Sequence, residues 1–457
     1  MKKPFSSTAI SRRSFLGGLG ALSLGTLIPA KLHARLDYHR IRFDRDIFER
    51  NKAQTIIIFL YGGPSELAGN LTNIEEISRK SQTPYPLDDD RYITLTRNKL
   101  WAQAGGIAME EMLANGELNL FRTCYRTVDD LKSHGDCTSQ AQRGTDLDGG
   151  AGILANLAAI LHHHKAIREP KDRSDIGKSI PFVTLEGEST FFSEDDLNLA
   201  PFLKPVAISS SSRNPYTRGG WFNDRVLNHN TGQTIGKLFD RISTRHNSNE
   251  KIKEAFERRK DLAAYVDEIN ALELPEGVEY PSNNEFADLL ATSMKLLIHN
   301  PHTKMISMGS PGLGGWDDHS NALNEYTYRM TRLMEAIRAA MDHMAAEGRN
   351  NINIVVFGEF GRNVNYNTSL GWDHGNNQNI YWFGGKDYFR RMGIVGKTEV
   401  SGEDTRLYLQ PKRFGKANES YHFQIFSVAA TLYRLYGITN PKLLTQGNAP
   451  IKGLLKS

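Results

Sequence analysis

Continuous apolar, β-branched runs constrain the fold of this chain more than any other feature of its sequence. The clearest is QTIIIFLY at residues 54–61, and IPFVTLEG (180–187), TKMISMGS (303–310) and INIVVFG (352–358) have the same character. Strands without alternating apolar and polar residues are typical of a parallel sheet that is covered on both faces. The runs therefore predict the strands of such a sheet.

A long amphipathic segment separates the last two runs. Its apolar side chains recur every three or four residues until Gly348 stops the pattern. They are Leu323, Tyr326, Met330, Leu333, Ile337, Ala340 and Met344. A strand, a long helix and a strand in this order form a βαβ unit. We therefore expect an α/β fold with a doubly wound, mainly parallel sheet and helices on both faces.

One region interrupts this alternation of strands and helices. Residues 188–283 contain SSSSRNP, YTRGGWFND and the highly charged segment NEKIKEAFERRKDLAAYVDEINAL. We interpret them as a helical or loop insertion, or a cap over the sheet. Residues 35–457 then form one α/β domain that includes this insertion.

The first 34 residues have the features of an export signal. They start with basic residues, continue with Ser-Arg-Arg-Ser-Phe-Leu around Arg12 and Arg13, and end in a short apolar stretch. That stretch is too short for a membrane span, and the paired arginines resemble the twin-arginine signal of bacteria. We expect a periplasmic or secreted protein, carried by the twin-arginine translocase and cleaved near Leu32-His33-Ala34. This route typically carries folded proteins, which favours a bound metal.

Charge and cysteine content bound the environment of the mature chain. The net charge is +4, and the predicted signal holds Lys2, Lys3, Arg12, Arg13 and Lys31 without an acid, so the remaining residues carry −1. No basic stripe is left to indicate a nucleic acid, and no other run is long enough to span a bilayer. Cys124 and Cys137 could pair in an oxidising compartment, and two unpaired thiols are an equally good interpretation.

Polar clusters follow the predicted strands, which is where open parallel sheets bind ligands. The stretch 355–385 in particular reads as a buried strand, a polar loop and a second strand closed by two glycines. We expect the loops to converge on one edge of the sheet. The clusters contain Ser65 and Glu66 in YGGPSE, His134 in LKSHGDCTSQ, Asp317 and His319 in PGLGGWDDHSN, Glu359 and Arg362 in GEFGR, and Asp373 and His374 in GWDHG.

Carboxylates and imidazoles from separate loops suit a divalent ion such as zinc, manganese or calcium. Such ions bind a few oxygen and nitrogen ligands at fixed distances and leave a position open for substrate. The candidate ligands, for one site or two, are Asp317, His319, Glu359, Asp373 and His374.

Each candidate also has a plainer interpretation. Asp317, Asp318 or Ser320 would cap the long helix, and Asp373 with His374 would form a turn and its hydrogen-bond partner. Ser65 would likewise only cap a helix.

The motifs, taken in order, resemble a known family. The twin-arginine start, GGPSE, SHGDCTSQAQRG, GGWDDHSN, GEFGR and GWDHG followed by IYWFGG are similar to the exported bacterial proteins grouped as domain-of-unknown-function family 1501. Those proteins look like members of the alkaline phosphatase and sulfatase superfamily. The resemblance runs from residue 52 to the end, and only 188–283 fits it loosely.

The resemblance implies a doubly wound core with paired divalent ions at the strand ends. It implies that Asp317 and His319 are ligands from one loop, and that Glu359 and His374 are ligands from the following segments. Ser65 is the counterpart of the serine, threonine or modified cysteine nucleophile.

The chain departs from the family pattern after GGPS. Related sequences usually carry an aspartate there, whereas this chain reads Glu66-Leu67-Ala68-Gly69-Asn70, which puts one ligand in doubt. The sequence contains neither C-x-P-x-R nor S-x-P-x-R, so the formylglycine nucleophile of true sulfatases cannot form.

The first functional hypothesis is a metal-dependent hydrolase of phosphate or sulfate esters, acting on a small molecule or a polysaccharide. Ser65 or a bound water would attack, Arg362 would hold the nonbridging oxygens, and His134 or His374 would carry protons.

The alternative is an exported binding or assembly protein on a catalytically eroded scaffold of the same fold. Trp221, Trp316 and Trp372 would then line a glycan or protein surface. A third hypothesis makes the metal purely structural, tying the loops together.

Overall fold

The structure, a computed structural model, describes residues 38–456 apart from internal gaps. The gaps are 81–90, 127–132, 147–148, 172–174, 187–188, 196, 208–240, 242–260, 263, 403–406 and 415–418. The predicted signal at 1–34 and much of the predicted insertion, with Trp221, lie outside the described residues. None of the helices in the described part is long and apolar enough to cross a membrane.

Twelve strands are described, and eight of them form the central sheet. In chain order they are β1 (Gln54–Leu60), β2 (Leu118–Tyr125), β3 (Phe182–Thr184), β4 (Val206–Ala207), β5 (Met305–Met308), β6 (Ile352–Gly358), β7 (Gly361–Tyr366), β8 (Trp372–Gly375), β9 (Asn377–Gly384), β10 (Ile394–Val395), β11 (Thr398–Ser401) and β12 (Tyr408–Pro411). The order across the large sheet is β10-β2-β9-β6-β1-β5-β3-β4, while β7 pairs with β8 and β11 with β12.

In the described part of the chain, eight α-helices accompany this sheet. They are α1 (Arg45–Asn51), α2 (Ile74–Lys80), α3 (Gly106–Ala114), α4 (His134–Arg143), α5 (Ile153–His163), α6 (Glu285–His299), α7 (Ala322–Ala346) and α8 (Phe426–Leu435). A further helical stretch covers residues 264–271.

Strand β1 shows why its sequence is apolar throughout. Ile56, Ile58 and Leu60 pack in the same apolar cluster as α6 and α7, while the opposite face carries Thr55, whose hydroxyl accepts a hydrogen bond from Tyr436 next to α8. Helices therefore cover both faces, and β1 pairs in parallel with β5 and β6. The predicted doubly wound α/β fold is confirmed, with β9 antiparallel to both of its neighbours.

The expectation of a polar loop between β6 and β9 is wrong, because this segment forms the hairpin of β7 and β8. Arg362 lies opposite His374 in the antiparallel register. The side chain of Asn367 closes the turn by accepting hydrogen bonds from the backbone N–H groups of Ser369 and Gly371. The asparagines of β7 disfavour a strand locally, so the hairpin depends on its partner strand and its turn.

Helix α7 begins at Ala322, with Asn321 at its N-cap position and no side-chain cap. The capping interpretation of Asp317, Asp318 and Ser320 is therefore wrong. Asp318 instead accepts a hydrogen bond from Arg329 on α7, at 2.6 Å. Cys124 and Cys137 are both buried, and no disulfide joins them.

Candidate metal centre

The segments that follow β1, β5 and β6 meet at the carboxyl ends of these strands. Gly62, after β1, donates its N–H to Glu359 Oε1 after β6, at 3.1 Å. Gly62 has a φ of +112°, and a Cβ atom there would lie 2.3 Å from the nitrogen of Asp317 after β5. Only glycine allows both this φ and this approach, so the glycine pair of YGGPSE brings the three segments together.

Four side chains place their ligand atoms in one cluster: His134, Asp317, His319 and His374. These atoms lie within 4.8 Å of one another. Asp317 Oδ1 is 3.3 Å from His134 Nε2, 3.1 Å from His319 Nε2 and 4.0 Å from His374 Nε2. We call these four residues the imidazole cluster.

The donor atoms of the imidazole cluster fit a divalent ion. Ligands held about 2.0–2.1 Å from zinc in a tetrahedron lie about 3.3 Å apart, close to the separations from Asp317 Oδ1. The two Nε2 atoms of His319 and His374 face each other at 3.1 Å. His134 Nε2 makes no hydrogen bond within the described residues despite its proximity to Asp317. A bound cation would coordinate converging nitrogen lone pairs of this kind.

Glu359 binds the imidazole nitrogen of His134 that points away from the cluster. Its Oε1 lies 2.6 Å from His134 Nδ1 and also accepts from the Gly62 N–H. A carboxylate oxygen in this position accepts from the Nδ1–H, which leaves the Nε2 lone pair directed at the cluster. Glu359 was predicted as a ligand, and the structure places it against the imidazole instead of among the four converging atoms.

Asp373 has the same relation to His319. Its Oδ1 is 3.2 Å from His319 Nδ1 and accepts a hydrogen bond from Asn367 Nδ2 at 3.1 Å. Asp373 therefore orients an imidazole, and Asn367 in turn orients Asp373. Asn367 was not predicted, because its contribution depends on the hairpin turn.

Arg362 is fully buried and fixes Asp317. Its Nη2 donates to Asp317 Oδ1 at 2.6 Å and also to the carbonyl oxygens of Gly62 and Trp316. Its Nε and Nη1 donate to the carbonyl oxygens of Gly63 and Trp372. Burial alone would raise the pKa of Asp317, but the hydrogen bond and charge of Arg362, with His134 and His319 nearby, lower the pKa overall. The predicted role of Arg362 toward an oxyanion stays a prediction, and would require it to release one of these acceptors.

Phe360 forms the apolar wall of the imidazole cluster. Its ring centroid is 4.5 Å from that of His374 and 5.0 Å from that of His134. The opposite side is open, since about half of the Asp317 and His319 side-chain surface is accessible. An ion in the cluster would therefore have protein on one side and room for a substrate on the other.

Ser65 and Glu66 are buried in the segment that follows β1. Ser65 is 3% exposed, and its hydroxyl accepts from the backbone N–H of Leu67 at 3.4 Å. Glu66 Oε2 accepts from the backbone N–H of Arg362 at 3.2 Å, while burial raises the pKa of Glu66 to about 8. Neither residue supplies an atom to the four-residue group.

A second polar group lies on the same sheet edge and was not predicted. Tyr61, directly after β1, donates from its hydroxyl to Glu186 Oε2 at 3.0 Å and accepts from Gln142 Nε2 at 2.8 Å. Burial, and then the charge of Glu186, raise the pKa of Tyr61. The rule that polar residues after strands gather at one edge would have found Tyr61 and Glu186.

Trp316 and Trp372 are completely buried, so they do not line a surface. The expectation that they contact a glycan or protein partner is wrong for both residues. Trp372 instead packs next to the hairpin turn against Tyr326 of α7.

The fold and the imidazole cluster define an α/β protein with a candidate metal centre at the carboxyl ends of its strands. Residues 260–451 match the family described as "Protein of unknown function (DUF1501)". The predicted resemblance to this family is thus confirmed over a part of the chain that includes Asp317, His319 and His374. None of the curated proteins matches the chain significantly.

Solved structures also resemble the chain, at low identity. Ps i-CgsB in complex with k-i-k-neocarrahexaose is 9% identical, with 88% of this chain and 75% of that one covered and a TM-score of 0.37. The lipoteichoic acid synthase LtaP from Listeria monocytogenes is 8% identical, with coverages of 91% and 79% and a TM-score of 0.34. A TAB5 alkaline phosphatase variant with bound Mg is 10% identical, with coverages of 87% and 99% and a TM-score of 0.30.

Proposed function

We propose that this protein is a metal-dependent hydrolase of phosphate or sulfate esters. The observation that carries the proposal is the convergence of His134, Asp317, His319 and His374 on one point. Three imidazole nitrogens and one carboxylate oxygen favour zinc or a similar transition ion over calcium, which prefers six to eight oxygen ligands. Such an ion, when bound, supplies Lewis-acid polarisation of an ester oxygen.

The surrounding residues orient the ligands of the cluster and keep Asp317 ionised. Glu359 and Asp373 fix the orientation of His134 and His319, and partners of this kind typically change metal affinity about 10–100-fold. Arg362 keeps Asp317 ionised and aligned. The accessible side of the cluster gives the ester a path of approach.

Elemental analysis of the purified protein, with assays on aryl phosphates and aryl sulfates, tests the proposal. We expect His134→Ala and His374→Ala to weaken metal binding at least about 100-fold and to abolish turnover, because each removes a ligand. His422→Ala is the matched control, since this exposed imidazole bonds only to a nearby backbone carbonyl among the described residues. Unchanged metal content and turnover in both cluster variants would refute the proposal.

Ser65→Ala identifies the attacking group in the same assay. Because the Ser65 hydroxyl is buried and engaged with Leu67, we expect turnover within about threefold of the parent, with water as the nucleophile. A loss of about a thousandfold with full metal content would instead assign the attack to Ser65.

We also propose that residues 1–34 direct export by the twin-arginine route and that the protein works outside the cytoplasm. The paired Arg12 and Arg13 before a short apolar stretch support this. An Arg12→Lys/Arg13→Lys variant should accumulate as precursor in the cytoplasmic fraction. Export equal to that of the parent would contradict the twin-arginine route.

A further inference from the structure

We propose that a basic cleft at the opposite edge of the sheet binds a soluble ligand carrying several phosphate or sulfate groups. The cleft has a volume of about 860 Å³ and is lined by the residues that precede four neighbouring strands. Pro181 precedes β3, Lys304 precedes β5, Lys52 lies just before β1, and Asn351 precedes β6. Because these strands are parallel and adjacent, their amino ends form a single edge.

The cleft is separate from the imidazole cluster. Strand β1 connects the two edges, with Lys52 near its start and Gly62 after its end. Its seven residues at about 3.3 Å each put the two sites roughly 20 Å apart. A ligand in the cleft therefore does not touch the residues proposed to bind metal.

Positive charge dominates the lining. The cleft has eight lysine and arginine residues, with Glu49 and Asp387 as its acids, in a chain whose 56 basic residues nearly balance 52 acidic ones. Glu49 lies 3.7 Å from Arg45, and Lys178 has its own partner in Asp175 outside the lining. A concave surface with charge of one sign concentrates field lines and attracts the opposite charge.

The cations at the rim lack acidic partners within the described residues. Arg50, Lys52, Lys165 and Arg168 are exposed and form no ion pair there. Arg50 lies in α1 and Lys52 directly follows it, whereas Lys165 and Arg168 lie in the segment after α5, so cations from two elements line the same cavity.

The floor of the cleft supplies donors from less exposed cations. Lys304 Nζ donates to the carbonyl of Pro301 at 2.8 Å and lies 5.7 Å from the centre of the Phe48 ring. Arg349 Nη2 donates to Gln54 Oε1 at 3.1 Å, while its Nε is buried without a hydrogen-bond partner in the described residues. Arg349 thus holds a donor that no described residue satisfies, and Lys304 adds its charge to the lining of the cleft.

Tetrahedral oxyanions fit this set of groups. Arginine forks bind phosphate or sulfate oxygens through two parallel hydrogen bonds, and lysines add point charges. The excess of cations over acids exceeds the charge of one phosphate, and the cavity is larger than one phosphate needs. Both facts favour a ligand with several anionic groups.

Calorimetric titration of the full chain with inorganic tripolyphosphate tests the inference. We expect Arg50→Glu/Arg168→Glu to weaken binding at least about tenfold, because two rim cations are reversed. Arg79→Glu/Arg413→Glu makes the same charge change at exposed arginines outside the cleft and should weaken it less than about twofold. If both double variants weaken binding equally, or if the parent does not bind, the inference is overturned. Arg50→Gln/Arg168→Gln should give an intermediate loss and replaces the first variant if that one unfolds.

Two further experiments test whether the anion binds at the imidazole cluster instead and whether the cleft binds a membrane surface. His134→Ala/His374→Ala should leave tripolyphosphate affinity unchanged, and a loss confined to this variant would place the anion at the imidazole cluster and overturn the inference. Vesicles of phosphatidylglycerol and phosphatidylcholine should not compete with tripolyphosphate. Binding to vesicles in the absence of tripolyphosphate binding would mean a membrane surface instead of a soluble ligand.

Discussion

Glu66, buried near the imidazole cluster, shows how burial decides the state of a carboxyl group. Glu66 has one oxygen on the Arg362 N–H, but its Oε1 has no hydrogen-bond partner in the described part of the chain. Burial therefore dominates and raises the pKa of Glu66 to about 8, against the lowering effect of backbone hydrogen bonds and of Arg362.

The raised pKa of Glu66 makes stability depend on pH. Between pH 4.5 and about 8 the folded protein keeps a proton on Glu66 that the unfolded chain has lost. The free energy of unfolding therefore falls as the pH rises through this window, by up to about 1.4 kcal/mol per pH unit. We expect Glu66→Gln to flatten this slope in urea unfolding followed across the window. Glu75→Gln, which removes an exposed carboxyl group, should keep the slope, and a parental slope in Glu66→Gln would contradict the assignment.

At the scale of elements, the segment between β5 and α7 carries two residues of the imidazole cluster and is anchored by its neighbours. Asp318 pairs with Arg329 of α7 at 2.6 Å, and both side chains are almost completely buried. Asp317 is held by Arg362 of β7. The long helix and the hairpin thus fix the segment from two sides.

Arg329→Leu should destabilise the protein by about 3–5 kcal/mol, because it leaves the Asp318 carboxylate buried without its partner. The double variant Asp318→Leu/Arg329→Leu removes both charges and should recover most of that loss. Urea unfolding measures both. Equal destabilisation of the single and double variants would mean that Arg329 acts through packing against Trp316 and not through the ion pair.

Some secondary-structure elements could be predicted from their local sequence and others could not. Strands β1 and β6 and helix α7 were predicted because their periodicity is local and their apolar residues face a core on known sides. The hairpin of β7 and β8 was missed, since its polar residues disfavour strands and its register is set by Asn367 and by contacts with the β5–α7 segment.

At the scale of the whole molecule, the wound sheet joins residues that are far apart in the chain. His134 begins α4, Asp317 and His319 follow β5, and His374 lies in β8, yet their ligand atoms share one small volume. Such a site exists only in the folded state, so binding of an ion stabilises the fold by mass action.

Addition of zinc at about 100 times its Kd should stabilise the protein by about 2.7 kcal/mol, and chelation should reverse this. For a domain of this size the expected rise in Tm is roughly 3 °C by differential scanning calorimetry. His134→Ala/His374→Ala should show no rise, whereas His422→Ala should behave like the parent. The same rise in the double variant would place the ion elsewhere.

The sequence by itself determined strands β1, β3, β5 and β6, the long helix and the residue types available for metal chemistry, because apolar periodicity and residue chemistry are local properties. The tertiary structure alone decided that His134 lies with the other candidate ligands and that Glu359 and Asp373 hydrogen-bond to imidazoles. It also decided that the donors of Arg362 already have acceptors within the protein. It also gathered scattered lysines and arginines into the basic cleft. Distances between remote residues follow from strand order and helix packing, which no short stretch of sequence encodes.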